Sequence, residues 1–146
     1  MSPYHAGVRR TLRAAAAGAA AAGFWAAAEP GLRRLSHSPH SEPRLVGRML
    51  ASERFWIPVG LTVHVLNGAV FGVVFDRLGG RGILQAVAAA QIENACLWPT
   101  LLVFDALHPD VRDGSWPELF GDRRVLVHEV AGHVVFGVAL GALLRD

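Results

Sequence analysis

The sequence contains 14 arginines but no lysine, and only 18% of its 146 residues are charged. A soluble domain usually carries about 25% charged residues, whereas apolar residues make up 52% of this chain. The arginines are dispersed and are not interleaved with aromatic residues, so the pattern gives no support for nucleic-acid binding. The shortage of charge favours a membrane protein.

Cysteine is also scarce, since Cys96 is the only one in the chain. A single cysteine excludes an internal disulfide as a source of stability. Cys96 lies in an apolar run, and we expect it to be a small core residue.

Long apolar runs are present instead, at residues 12–28, 57–75, 83–104 and 125–144, each 17 to 22 residues long. A helix of about 20 residues spans a hydrocarbon core of about 30 Å. Trp25, Trp56 and Trp116 fall near the expected interfaces, as aromatic belts do. The sequence therefore predicts one all-α domain over residues 1–146, an integral membrane four-helix bundle in a lipid bilayer.

The first apolar run has a second interpretation. Arg9, Arg10 and Arg13 precede an alanine-rich segment that ends in small residues, which is the pattern of a cleaved signal peptide. The Arg9–Arg10 pair is also compatible with a twin-arginine signal. The alternatives are a membrane helix that leans on its neighbours and a removed leader.

Two long connections, residues 29–54 and 105–124, are predicted to lie on the same side of the membrane, each with a short interfacial helix. The first helix is expected over residues 44–56. The second is expected after the capping box Ser115–Glu118, ending near Gly121. Arginine density on the opposite side predicts cytoplasmic termini. Four histidines are expected to be solvated: His5, His37, His40 and His108.

The stretch V-H-E-V-A-G-H at residues 127–133 resembles the zinc-protease motif H-E-x-x-H with one extra residue. Two zinc-binding histidines on a helix share a face at a spacing of four. His128 and His133 are five apart, which separates them by roughly 140° around the helix. Glu129 and His133 do share a face, so an acid–imidazole pair is favoured over a protease site, with His128 at the membrane boundary.

An internal repeat of the form H-x3-G-x3-G occurs at His64–Gly68–Gly72 and again at His133–Gly137–Gly141. In each helix the three residues form one stripe, and stripes of small residues let helix backbones approach closely. The pattern predicts two repeated helical hairpins, with the second and fourth membrane helices packed through these grooves. A chance match of frequent glycines is the alternative.

Polar residues interrupt the third run near its centre, at Glu93 and Asn94. An ionised carboxylate in lipid is costly, so Glu93 should face the bundle interior, be paired, or be protonated. Counting depth along the helices predicts a midplane network that contains His64, Asn67, Glu93, Asn94, Glu129 and His133.

Several functions suit such a network. A structural or proton- and solute-related role without enzymatic activity or cofactor is favoured, in a protein that self-associates as a homo-oligomer. Redox chemistry is the alternative, with haem or a transition metal held by His64, His133 and Glu93. A membrane-embedded hydrolase using Glu129 and His133 ranks last, because no nucleophile–base constellation is visible.

Four short segments carry a family resemblance: A-E-P at residues 28–30, V-H-V-L at 63–66, A-Q at 90–91 and E-V-A-G-H-V-V-F at 129–136. Together with the order of loops and helices, these segments resemble the YagU-like family of small bacterial inner-membrane proteins. The resemblance implies a four-helix membrane protein with a proposed link to acid tolerance. It implies no reaction and no catalytic residue.

Overall fold

The computed structural model describes residues 3–145, with side chains from residue 5 onward, and all regular structure in that range is helical. This includes a short 3-10 turn at Trp98–Thr100. In chain order the helices are α1 (Pro3–Ser36), α2 (Glu42–Leu50), α3 (Trp56–Arg77), α4 (Gly82–Leu97), α5 (Leu101–Leu107), α6 (Pro109–Arg112) and α7 (Arg123–Leu143).

Three segments are long and apolar enough to cross a membrane, namely Trp56–Arg77, Gly82–Leu107 and Arg123–Leu143. Helix α1 has 34 residues and extends beyond the predicted run 12–28 at both ends. Its alanine-rich surface is only weakly apolar, because a methyl group offers little area to transfer out of water.

The long helices pack in the order α3, α1, α7, α4, and α2 lies against α3. Helices α3 and α4 follow one another through a tight turn, yet within the described residues they make almost no contact along their lengths. The end of the molecule that carries α2, α5, α6 and both long connections is called here the connection end. The opposite end carries the α3–α4 turn, where Arg10 and Arg81 bind Asp76 at 2.7 and 3.2 Å.

The glycine stripes lie at the closest helix contacts. Gly68 and Gly72 of α3 lie against the backbone of Gly18 in α1, and Gly137 and Gly141 of α7 lie against the start of α4. The prediction that these two stripes pack on each other is therefore wrong. Each stripe faces the other helix of its own hairpin, because the sequence identifies a small-residue face but not the helix that fills it.

Replacing Gly18 by valine is expected to separate α1 from α3, because a Cβ at Gly18 would overlap the backbone carbonyl of Gly68. Overpacking of this kind costs about 1–3 kcal/mol, which should lower the melting temperature in detergent. Gly23→Val on the same helix is the matched control, since a Cβ at Gly23 meets nothing within 4 Å. Equal destabilisation by both variants would contradict this packing.

The first connecting helix is placed earlier than predicted. Helix α2 covers Glu42–Leu50 rather than residues 44–56, because the Ser41 side chain accepts a hydrogen bond from the Arg44 N–H and caps the helix. The backbone becomes extended at Ala51, and α3 begins at Trp56.

The predicted second connecting helix, at residues 115–121, is absent from the described structure. The Asp105 carboxylate instead accepts hydrogen bonds from the backbone N–H groups of Leu119 and Phe120, at 2.6 and 2.9 Å. The short helix lies earlier, at α6, where the His108 side chain accepts a hydrogen bond from the Asp110 N–H.

A buried aspartate, Asp110, joins two helices at the connection end through ion pairs. Asp110 is 1% exposed, and its carboxylate binds Arg44 at 2.6 Å and Arg48 at 3.1 Å, both from α2. Burial alone would raise the pKa of Asp110, but the two guanidinium groups hold that pKa below the usual carboxyl range. These two ion pairs hold α2 against α6.

Three exposure predictions are wrong. His40 and His108 are fully buried rather than solvated, and Cys96 is exposed rather than in the core. His108 stacks on Trp116 with ring centroids 4.9 Å apart, and its Nε2 lies 3.1 Å from the Leu45 carbonyl oxygen. Burial lowers the pKa of His108 despite the neighbouring Asp110. These contacts come from distant segments, so local polarity was a poor guide.

Candidate functional site

Three metal-ligating side chains converge at the connection end: His40, Glu42 and Glu129. His40 lies between α1 and α2, Glu42 is the first residue of α2, and Glu129 is in the second turn of α7. One nitrogen or oxygen from each side chain lies within 4.8 Å of the others. The set combines one imidazole with two carboxylates.

The spacing of these atoms fits a metal centre. His40 Nε2 lies 2.8 Å from a carboxylate oxygen of Glu129 and 3.6 Å from one of Glu42. Ligand atoms placed about 2.1 Å from a tetrahedral zinc ion are about 3.4 Å apart. The observed separations lie on either side of that value, so small side-chain rotations would bring all three onto one ion.

The turn that presents His40 is well ordered by hydrogen bonds. The Ser38 hydroxyl accepts from the His40 N–H at 3.2 Å, and the Arg33 guanidinium donates to the Pro39 carbonyl at 3.0 Å. The segment at residues 36–41 is thus a hydrogen-bonded turn. Its serines bind backbone groups and so aim the imidazole inward.

Several buried polar atoms around His40 make no hydrogen bond within residues 3–145. They are both ring nitrogens of His40, both of His128, and one carboxylate oxygen each of Glu29 and Glu129. The His40 Nε2 is nevertheless close enough to Glu129, at 2.8 Å, to form an ion pair. A buried unsatisfied polar group costs about 1–3 kcal/mol. Such a concentration at one place therefore points to a bound ligand.

The electrostatics of the site already favour a cation. Burial opposes protonation of His40, but the carboxylates of Glu129 and Glu42 raise the pKa of His40 to about 10. Burial also opposes ionisation of Glu42, but the His40 imidazolium lowers the pKa of Glu42 to about 2. Without a metal, a positive His40 ring therefore lies beside the Glu42 carboxylate. A divalent ion with a neutral imidazole would neutralise both carboxylates.

A chamber of about 300 Å³ adjoins this cluster. Glu42 and Glu129 line its connection end, and aromatic walls are provided by Phe71, Phe104 and Phe136. All six residues of the predicted network also line it: His64, Asn67, Glu93, Asn94, Glu129 and His133. The chamber thus places the network and the metal-ligating cluster around one space.

His64 and His133 are not arranged as a haem pair. Trp25 lies beside both rings, with centroid distances of 5.0 Å to His64 and 4.7 Å to His133. His64 Nε2 is 3.2 Å from the Ala22 carbonyl oxygen, and His133 Nδ1 is 2.7 Å from that of Glu129. One nitrogen of each ring is therefore tied to a backbone carbonyl, and both rings pack against Trp25.

The three predicted metal candidates are not the residues that cluster as metal ligands. His64 and His133 each have one ring nitrogen on a backbone carbonyl oxygen, and Glu93 lies within hydrogen-bonding reach of Asn67. His128, predicted at the membrane boundary, is fully buried with its ring centroid 5.8 Å from that of His40.

His40 and Glu42 were not among the site residues predicted from the sequence, whereas Glu129 was. The available signal was the close pair His40-x-Glu42 just ahead of a capped helix. Polar neighbours made this pair look solvated. Its burial comes from Trp116, which packs 5.7 Å from the His40 ring and lies far along the chain.

Comparison of the chain with protein-family models, with curated proteins and with solved structures gave no match. The resemblance to the YagU-like family stays a prediction.

Proposed function

We propose that this chain is an integral membrane protein that binds one divalent transition-metal ion through His40, Glu42 and Glu129. The observation that carries the proposal is a fully buried imidazole whose Nε2 lies 2.8 and 3.6 Å from carboxylate oxygens of Glu129 and Glu42. The other ring nitrogen, Nδ1, has no hydrogen-bond partner among the described residues, although buried polar groups normally have one.

The membrane arrangement we propose is a four-helix bundle in a bacterial inner membrane, with both termini cytoplasmic. Three segments meet the length and apolarity needed, and α1 adds the fourth by packing its alanine face against α3 and α7. Two repeated hairpins, α1 with α3 and α4 with α7, are supported by the glycine stripes, since each faces its own hairpin partner.

The ligand set favours a metal of intermediate hardness. One imidazole and two carboxylates suit Zn²⁺, Mn²⁺ or Fe²⁺ better than thiolate-seeking Cu⁺ or all-oxygen Ca²⁺ sites. Three protein ligands leave a coordination position for water or another small ligand. Because Glu42 and Glu129 also line the chamber, that open position would face the chamber.

Metal titration of the purified, chelator-treated protein tests the proposal. We expect one Zn²⁺ or Co²⁺ per chain, with Co²⁺ giving a visible absorption band. We expect metal binding to weaken by about 10–100-fold or more in each of three variants, His40→Ala, Glu42→Gln and Glu129→Gln. Loss of a residue that only hydrogen-bonds a metal ligand already has an effect of that size, and these residues are the proposed ligands themselves.

His37→Ala is the matched control for these variants, because His37 lies three residues from His40 but is exposed. It should bind metal like the wild type. Absence of stoichiometric binding in a folded wild-type sample would overturn the proposal. The cluster would then be a buried ion pair that holds α2 against α7.

A further inference from the structure

The chamber opens sideways between α3 and α4. Elsewhere around the molecule the long helices are in contact, from α3 through α1 and α7 to α4, whereas α3 and α4 barely touch in the described structure. Opposite this gap, Trp25 of α1 fits against Gly132 of α7, where a Cβ would collide with the indole. One side of the molecule is therefore filled and the other is open.

Polar side chains border the opening at mid-length of two spanning segments. Asn67 of α3 is exposed, and Glu93 of α4 is half-buried beside it. Eleven residues separate each from the start of its segment, Trp56 or Gly82, which is about 16 Å along a helix. Polar groups at that depth are costly against lipid and need a hydrogen-bonding partner.

The chamber has both aromatic and polar lining groups. Phe71, Phe104 and Phe136 line it together with Glu42 and Glu129 from the connection end and with Asn67 and Glu93 from mid-length of α3 and α4. Three further polar side chains, His64, Asn94 and His133, also line it. A complementary ligand is a flat apolar ring that carries hydrogen-bonding groups on its edges. Its volume must fit about 300 Å³.

We propose that the chamber binds a lipid-soluble quinone that enters from the bilayer between α3 and α4. One ring carbonyl would accept a hydrogen bond from the Asn67 or Asn94 amide, and the ring would pack among the phenylalanines and Trp25. The isoprenoid tail would leave through the opening into lipid. This site goes beyond the proposed metal function and does not require the metal.

Two other occupants fit less well. A plain acyl chain offers no hydrogen bond to the polar lining, including the capacity that Asn67 and Glu93 have beyond their contact with each other. A helix from a second copy of the chain is about 10 Å across with its side chains, too wide for a chamber of about 300 Å³. The quinone matches both the volume and the mixed aromatic and polar lining.

Quenching of tryptophan fluorescence tests the proposal, because Trp25 lines the chamber and a quinone quenches indole on contact. Metal-free protein in lipid nanodiscs is titrated with ubiquinone-1, expressed as a mole fraction of lipid. We expect a saturable quenching component in the wild type. Asn67→Phe, which would close the opening, should remove that component and leave only linear collisional quenching.

Val70→Phe is the matched control, since Val70 lies on α3, is 62% exposed and does not line the chamber. It should keep the saturable component, and a saturated alkane should not displace the quinone. Linear quenching alone in the wild type, or displacement by the alkane, would overturn the proposal. Because metal is absent, this outcome is separate from the metal titration, which can succeed or fail independently.

Discussion

Replacing Asp110 by asparagine should destabilise the protein by about 3 kcal/mol, the lower end of the range for breaking a buried ion pair. The change keeps the side-chain shape but removes the charge that holds Arg44 and Arg48 at the connection end. The lower end applies because the Arg44 side chain is 32% exposed and can recover some hydration.

Thermal unfolding in detergent measures this effect, with Asp113→Asn as the control. The exposed Asp113 accepts a hydrogen bond from the Ser115 N–H at 2.9 Å, so its replacement should cost less than about 1 kcal/mol. Equal melting temperatures for Asp110→Asn and the wild type would show that the two arginines do not depend on Asp110.

The same residue gives the connection end a defined response to acid. The folded-state pKa of Asp110 lies below that of the unfolded chain. Its stabilisation is therefore present above the ordinary carboxyl range and is lost as the pH falls through the depressed folded-state value. Asp110→Asn should lack this part of the acid sensitivity.

Much of the helical framework could be predicted from the sequence. The apolar run 57–75 falls within α3, and the run 125–144 extends only one residue beyond the end of α7, because apolarity over about 20 residues is a strong and local signal. The connecting helices were harder. A serine cap at Ser41 and the Asp105 carboxylate decided their positions, and the second of these acts across 14 residues.

The site could be predicted only in part, because its members come from three separate segments. Helical spacing identified Glu129 and His133 as sharing a face, and depth counting placed Glu93 near Asn67. The burial of His40 could not be read locally. It depends on Trp116 and on contacts with α7, which meet His40 only after the connection end has folded.

Which helix packs against each glycine stripe could not be predicted from the sequence either. A stripe such as His64–Gly68–Gly72 identifies a face that admits close approach, but any small-residue face could fill it. Gly18 in an alanine-rich α1 offers that face to α3. Trp25, on the same helix, packs against both His64 and His133, the two histidines that begin the stripes.

The affinity of the proposed metal site should rise at least about 100-fold between pH 6 and pH 8. In the metal-free protein the carboxylates outweigh burial and raise the pKa of His40 to about 10, so the ring is protonated throughout this range. A metal needs the neutral ring and must displace that proton. Release of one proton per metal gives about a tenfold gain in apparent affinity for each pH unit.

The stability of the metal-free protein should move in the opposite direction. A raised folded-state pKa makes the His40 contribution fully present below the usual histidine value of about 6.5. That contribution is lost as the pH rises toward 10. The melting temperature without metal should therefore fall above neutrality, while the shift caused by added metal grows.

Zinc titrations at pH 6, 7 and 8, with proton release followed in weakly buffered solution, measure both trends. His40→Gln should bind zinc weakly at every pH. It should release no proton from this position, because the glutamine side chain carries no titratable proton for the metal to displace. An apparent affinity that stays constant from pH 6 to pH 8 in the wild type would mean that the bound metal does not use the His40 ring. The buried imidazole would then serve only to pair Glu42 with Glu129, two carboxylates that otherwise repel each other.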